Sequence, residues 1–177
     1  MIHVCSLSLL HRTVEETGAR HVVTLLRDLH LVTRPECIAA EQHLLLGMDD
    51  IPEPADGYVA PGEEHVRKLI AFARGWDRSA PLVVHCYAGI SRSTAAAFVS
   101  ACALSPARTE LQIAQELRQR SHTASPNRRI VSIADDLLGR NGRMVDAIEA
   151  IGPGAAATEA IPFRLELDSP IGAFPPR

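Results

Sequence analysis

The stretch that most constrains this chain is Pro81–Ala97, PLVVHCYAGISRSTAAA. A short apolar run, Leu82-Val83-Val84, leads into His85-Cys86 and then into a five-residue loop, Tyr87-Ala88-Gly89-Ile90-Ser91. Arg92-Ser93 closes the loop, and an apolar helical run follows. The junction reads as strand, tight loop and helix, with a sulfur at the end of the strand and the helix N-terminus pointing back at it.

Around this centre the chain alternates strand-like and helix-like segments. Ile2–Cys5, His21–Leu26, His43–Leu46 and Leu82–His85 are the β-prone runs, and Leu9–Thr17 reads as a helix that Gly18 ends. Glu63–Trp76 is amphipathic, with Val66, Leu69, Ile70 and Ala73 on one face, and Glu63 and Glu64 suit its positive N-terminal end. Arg92–Leu104 is apolar nearly all round, as a buried central helix is. Ser105-Pro106 and Ser125-Pro126 each read as a serine N-cap followed by proline at the first helical position. They open helices over about 107–120, burying Leu111, Ala114 and Leu117, and about 127–138, burying Ile130, Ile133, Ala134 and Leu137. A short helix fits Met144–Ile151. From Gly152 onward the composition suggests a tail over the surface, with Phe163–Leu167 its only strand-like alternation. The expected fold is α/β: a central, mostly parallel sheet of four to five strands flanked by helices, with a body over 1–151 and a tail over 152–177.

Hydrophobic residues make up 46% of the 177 and charged residues 22%, which argues against disorder throughout. A formal charge of −3 gives no general electrostatic footprint for nucleic acid or an anionic membrane, so neither is an expected partner. The N-terminal MIHVCSLSLLHRT has too short an apolar run for a signal peptide, and a cytoplasmic location is expected. Cys5, Cys37, Cys86 and Cys102 show neither C-x-x-C spacing nor a zinc-type partner histidine, so no metal, cofactor or disulfide framework is expected. Cys5, Cys37 and Cys102 read as small apolar fillers.

The chemistry concentrates in the loop. Backbone N–H groups from Tyr87 to Arg92 can curl around one point, the following helix adds its positive end, and Arg92 adds a permanent charge. Together they favour an anionic sulfur at Cys86 and a phosphate-like dianion above it. Gly89 permits a backbone angle that a β-carbon resists. The planar fork of Arg92 can bind two phosphoryl oxygens.

HCYAGISRS resembles the H-C-x5-R-[ST] signature of the cysteine-dependent protein tyrosine phosphatases. The resemblance implies a phosphocysteine mechanism with Cys86 as nucleophile, Arg92 as phosphate clamp and Ser93 as the hydroxyl that eases departure of the sulfur. It also implies that His85 holds the loop and that Tyr87, Ala88, Gly89, Ile90 and Ser91 form the substrate cradle. A general acid must come from elsewhere. In the dual-specificity branch it is an aspartate on a loop some thirty to forty residues before the cysteine. Met48-Asp49-Asp50-Ile51 fits that position; strand register favours Asp50, with Asp49 as the alternative, and the acidic pair could instead cap a turn. Ser125-Pro126-Asn127 before an apolar helix resembles a further segment of that branch, and the likeness spans roughly residues 1–140. The low-molecular-weight phosphatases carry C-x5-R near the N-terminus, which disfavours their fold here.

A phosphorylated protein is the expected partner and phosphotyrosine the leading substrate, with phosphoserine and phosphothreonine, as in dual specificity, left open. Alternatives are a phosphoinositide or other small phosphomonoester, disfavoured by the absence of lysine between Tyr87 and Ser91, and a phosphate-binding protein without turnover. Arg128, Arg129 and Ser132 read as a solvated helix face, and His43 as an ordinary histidine.

Overall fold

The structure is a computed structural model that describes residues 1–167. Five strands form one sheet: β1 (Ile2–Ser6), β2 (His21–Leu26), β3 (His43–Gly47), β4 (Leu82–Cys86) and β5 (Phe163–Leu165). Their spatial order is β3-β2-β4-β1-β5. The first four are parallel, and β5 adds an antiparallel edge against β1, with Val4 opposite Phe163 and Ile2 opposite Leu165. Six helices flank the sheet: α1 (Leu10–Thr17), α2 (Glu63–Gly75), α3 (Arg92–Leu104), α4 (Glu110–Arg120), α5 (Arg128–Leu137) and α6 (Arg143–Ile151).

Strand alternation divides the core. Cys5, Val22 and Val83 face one side, where Leu10 and Val14 of α1 pack with Ile38. Val4, Val23, Leu25, Val84 and Cys86 face the other, where α3 lies under Val66 and Leu69 of α2, Ile113 and Leu117 of α4, and Ile130 of α5. All of α3 from Arg92 to Cys102 is buried, which accounts for a sequence with no polar face. β4 sits between β2 and β1, buried along its length. Its C-terminal end, where Cys86 stands, lies where the order of parallel strands reverses, the usual place for ligands in open α/β sheets.

Two helix starts differ from the serine-proline reading. Ser105 ends α3 instead of opening α4, its N–H bonded to the Ala101 carbonyl and its hydroxyl donating to the Leu167 carbonyl at 2.8 Å. Thr109 caps α4, in reciprocal exchange with Gln112. The buried stripe of α4 is Glu110, Ile113, Ala114 and Leu117, with Glu110 paired to Arg140 and Arg143, and Leu111 lies off that face and is exposed, contrary to expectation. Asn127 caps α5 through Oδ1, which accepts from the Ile130 N–H at 3.1 Å; the Ser125 hydroxyl is bonded to Gly154 instead. On α5 the fully buried positions are Ile130, Val131, Ala134 and Asp135, and Ile133 and Leu137 are half-buried.

The segment after Gly152 is also more built in than a surface covering. Phe163, Leu165 and Leu167 are buried, and the sheet gains its fifth strand there. Residues 168–177 of the expected tail lie outside the described residues. Among the described residues no helix is long and apolar enough to cross a membrane, and no group of three His, Cys, Asp or Glu side chains could hold a metal ion.

Candidate active site

Cys86 is the last residue of β4 and Arg92 the first of α3, so the five residues between them make the whole turn from strand to helix. Four carbonyls of this loop point away from its centre and are bonded from outside. Those of Tyr87 and Ala88 accept from the Leu7 and Ala160 N–H groups, at 3.1 and 2.9 Å. That of Ile90 accepts from the Ser125 N–H at 2.9 Å and the Thr94 hydroxyl at 2.5 Å. That of Ser91 accepts from the N–H groups of Ala95 and Asn127 and again from Thr94. A trans peptide points its N–H opposite its carbonyl, so pinning these oxygens outward turns the N–H groups of Ala88, Gly89, Ser91 and Arg92 inward.

Gly89 is required twice over. Its φ is +75°, and a β-carbon there would stand 2.9 Å from the Cys5 carbonyl carbon and 3.0 Å from the Ser6 nitrogen. The loop thus rests directly on the end of β1, with no room for a side chain between them.

Cys86 is 2% exposed, and its sulfur lies 3.1 Å from Ser93 Oγ. Arg92 is also buried; its Nη1 donates to the Met48 carbonyl at 2.9 Å. That bond anchors the guanidinium to the first residue after β3. Its Nε is buried, has no hydrogen-bond partner, and lies 3.7 Å from Asp50 Oδ2.

The two aspartates do different things. Asp49 is folded into its own loop: its N–H donates to the Val59 carbonyl at 2.8 Å, its Oδ2 accepts from the Val59 N–H at 2.7 Å, and Arg27 stands 3.7 Å away. Asp50 turns across to the Cys86 loop. Its Oδ1 accepts from the Ser91 hydroxyl at 2.7 Å and from Asn127 Nδ2 at 2.8 Å. Arg129, read from sequence as solvated, reaches from α5 to the Pro61 carbonyl at 2.6 Å and ties down the far end of the aspartate loop. Arg128 pairs with Glu149 on the surface, and Ser132 is half-buried on α5.

Beneath the loop, His85 is fully buried. Its Nε2 lies 2.6 Å from Thr24 Oγ1, which lies 2.8 Å from His43 Nε2. One hydroxyl hydrogen cannot serve both rings, so at least one imidazole donates to Thr24. Burial, reinforced by His43 and His11, lowers the His85 pKa to about 4; a backbone contact with Cys86 opposes this only in part. Burial and then Arg34 lower His43 to about 4. The packing therefore holds both rings neutral at ordinary pH.

The remaining cysteines are not disposed to join this chemistry. Cys5 is on the opposite face of the sheet from Cys86, its thiol pushed up to about 12 by burial. Burial also raises Cys102, and Cys37 is exposed.

Sequence reasoning missed five participants. Asn127 was legible as part of Ser-Pro-Asn, but not as the side chain that holds Asp50. Thr24 and His43 lie on β2 and β3, and only sheet register brings them to His85. The Met48 carbonyl and the Ala160 amide are backbone groups, which carry no residue-type signal.

No family model matches the chain, and no curated protein matches it. Solved structures do, and they define the class of fold: that of the dual-specificity and related tyrosine phosphatases. The PTP-2 phosphatase of Cydia pomonella is 17% identical, with a TM-score of 0.60 over 76% of this chain and 84% of that one. Human DUSP28 is 15% identical, with a TM-score of 0.61 over 79% and 89%. A human tyrosine phosphatase-like serine/threonine/tyrosine-interacting protein is 16% identical, with a TM-score of 0.62 over 79% and 92%. At these identities the likeness speaks for the fold.

Proposed function

We propose that this protein is a cysteine-dependent phosphomonoester hydrolase acting on phosphotyrosine in proteins encountered in the cytoplasm, its catalytic residues carried on a body spanning 1–151. The observation that carries this reading is the convergence of Asp50 and Arg92 on the loop that begins at Cys86. The Cys86 thiolate attacks phosphorus as the ester P–O bond breaks, and the Asp50 carboxylic acid gives its proton to the departing oxygen. Inward N–H groups and the Arg92 fork hold the equatorial oxygens as charge shifts onto them. In the second step the Asp50 carboxylate takes a proton from water, the water oxygen bonds to phosphorus, and the P–S bond breaks with Ser93 donating to the sulfur.

Asp50 is preferred to Asp49 as the acid because both Asp49 hydrogen bonds with Val59 serve the aspartate loop itself. With an aryl phosphate, Asp50→Ala is expected to lower kcat by about a hundredfold or more at little change in KM, and Asp49→Ala to act mainly through stability. Hydrolysis surviving in Cys86→Ser ends the proposal. Phosphotyrosine peptides and phosphoinositides assayed side by side decide the substrate class: a preference for the lipids overturns the phosphoprotein reading. Phosphopeptide binding without phosphate release points to a binding protein instead.

A further inference from the structure

The phosphatase-like signature accounts for the loop from Cys86 to Arg92 but not for how residues after α6 meet it. From Gly152 the chain runs along residues 118–125 and then past Ala88 of the Cys86 loop. The Gly152 carbonyl accepts from Arg118 Nη2 at 2.7 Å, while Arg118 Nη1 holds the His122 carbonyl at 2.9 Å. The Ala155 N–H donates to that same His122 carbonyl at 2.9 Å, and the Gly154 N–H donates to Ser125 Oγ at 2.9 Å. Contact is close enough that a β-carbon on Gly154 would stand 2.4 Å from the Thr123 carbonyl oxygen. Farther on, Glu159 accepts from the Ser8 hydroxyl, and the buried Ala160 donates its N–H to the Ala88 carbonyl at 2.9 Å. The chain then enters the sheet as β5.

The segment it presses on, 121–127, itself holds the cradle: Ser125 and Asn127 donate backbone N–H groups to the Ile90 and Ser91 carbonyls. Of the four outward carbonyls, one is therefore held by the strap directly and two by the segment the strap braces. We infer that residues 152–160 are a positioning strap for the anion cradle, with Gly154 and Ala160 acting through Ser125 and Ala88. This rests on the functional reading above only in taking the cradle to bind phosphate.

The chemistry explains why an external brace matters. A peptide unit whose carbonyl loses its outer partner can rotate, and an N–H that rotates out of the cradle no longer meets an anion. Ala160→Pro deletes the donor to Ala88, and Gly154→Ala forces the strap away from Thr123 without touching β5. Each is expected to weaken competitive inhibition by inorganic phosphate, and to slow alkylation of Cys86 by the anionic reagent iodoacetate, by about tenfold. Far-UV circular dichroism should remain native, and Thr158→Ala, in an exposed part of the strap, should leave both readouts unchanged.

Folded Ala160→Pro and Gly154→Ala proteins with native phosphate affinity and native alkylation rate would overturn the inference, whatever their melting temperatures. Should either variant fail to fold, hydrogen exchange on the unaltered protein decides: phosphate should slow exchange at the Ala155 and Ala160 amides, and unchanged exchange at both contradicts the strap. Hydrolysis by Cys86→Ser would sink the phosphocysteine mechanism but leave these anion measurements intact, so the two failures are distinguishable.

Discussion

Asn127 Nδ2 donates to Asp50 Oδ1 across 2.8 Å, joining residues 77 apart in the chain. The other end of the same amide caps α5 by accepting from the Ile130 N–H, so both functions of one side chain are committed and its orientation is fixed. A carboxylate held this way, with Ser91 on the same oxygen, has its second oxygen directed toward the Arg92 side of the loop.

Asn127→Ser keeps a capping oxygen but cannot reach Asp50. Its melting temperature should stay close to the parent value, while kcat falls by about tenfold with KM nearly unchanged. A parallel loss of stability with native kcat would reduce Asn127 to a helix cap.

Ser93 Oγ stands 3.1 Å from the Cys86 sulfur at a fully buried site, where a lone hydroxyl counts for more than at a surface. Ser93→Ala should slow breakdown of the phosphoenzyme by about tenfold or more while sparing its formation. Rapid-quench kinetics should then show a burst of released phenol followed by a slow steady state. Slow formation without a burst would give the hydroxyl a different task.

The histidines beneath the loop make stability depend on pH. Folding lowers His85 from 6.5 to about 4, chiefly through burial, and His43 to about 4 for the same first reason. Between those values the unfolded chain binds more protons than the folded one, so the full stability is present above pH 6.5 and drains as pH falls through 4. For the deeply buried His85 the loss amounts to about 3 kcal/mol at most. Urea midpoints should fall between about pH 7.5 and about pH 5, and the slope should shrink in His85→Asn and His43→Gln. A flat profile in the parent protein contradicts the neutral, desolvated pair.

Much of this architecture is written locally. The β2 run and the mostly apolar α3 coincide with their sequence signals because alternation and helical periodicity are properties of consecutive residues. The loop after Cys86 was legible for the same reason. What lies outside local pattern was not: Ser105 and Ser125 look like N-caps, but their hydroxyls are engaged by Leu167 and Gly154, residues far along the chain. The division of labour between Asp49 and Asp50 depends on Val59 and Asn127, and the Thr24 link between two histidines depends on strand register.

The central claim is that Cys86 carries the phosphoryl group between two chemical steps. Acid-quenching the protein during turnover of a phosphotyrosine peptide, then mapping the adduct by mass spectrometry, tests it directly. The expected result is one phosphoryl group on the peptide containing Cys86, accumulating further in Ser93→Ala and missing from Cys86→Ser, which should release no phosphate. Phosphate release at the parent rate by Cys86→Ser, or turnover with the adduct on another residue, would contradict the account.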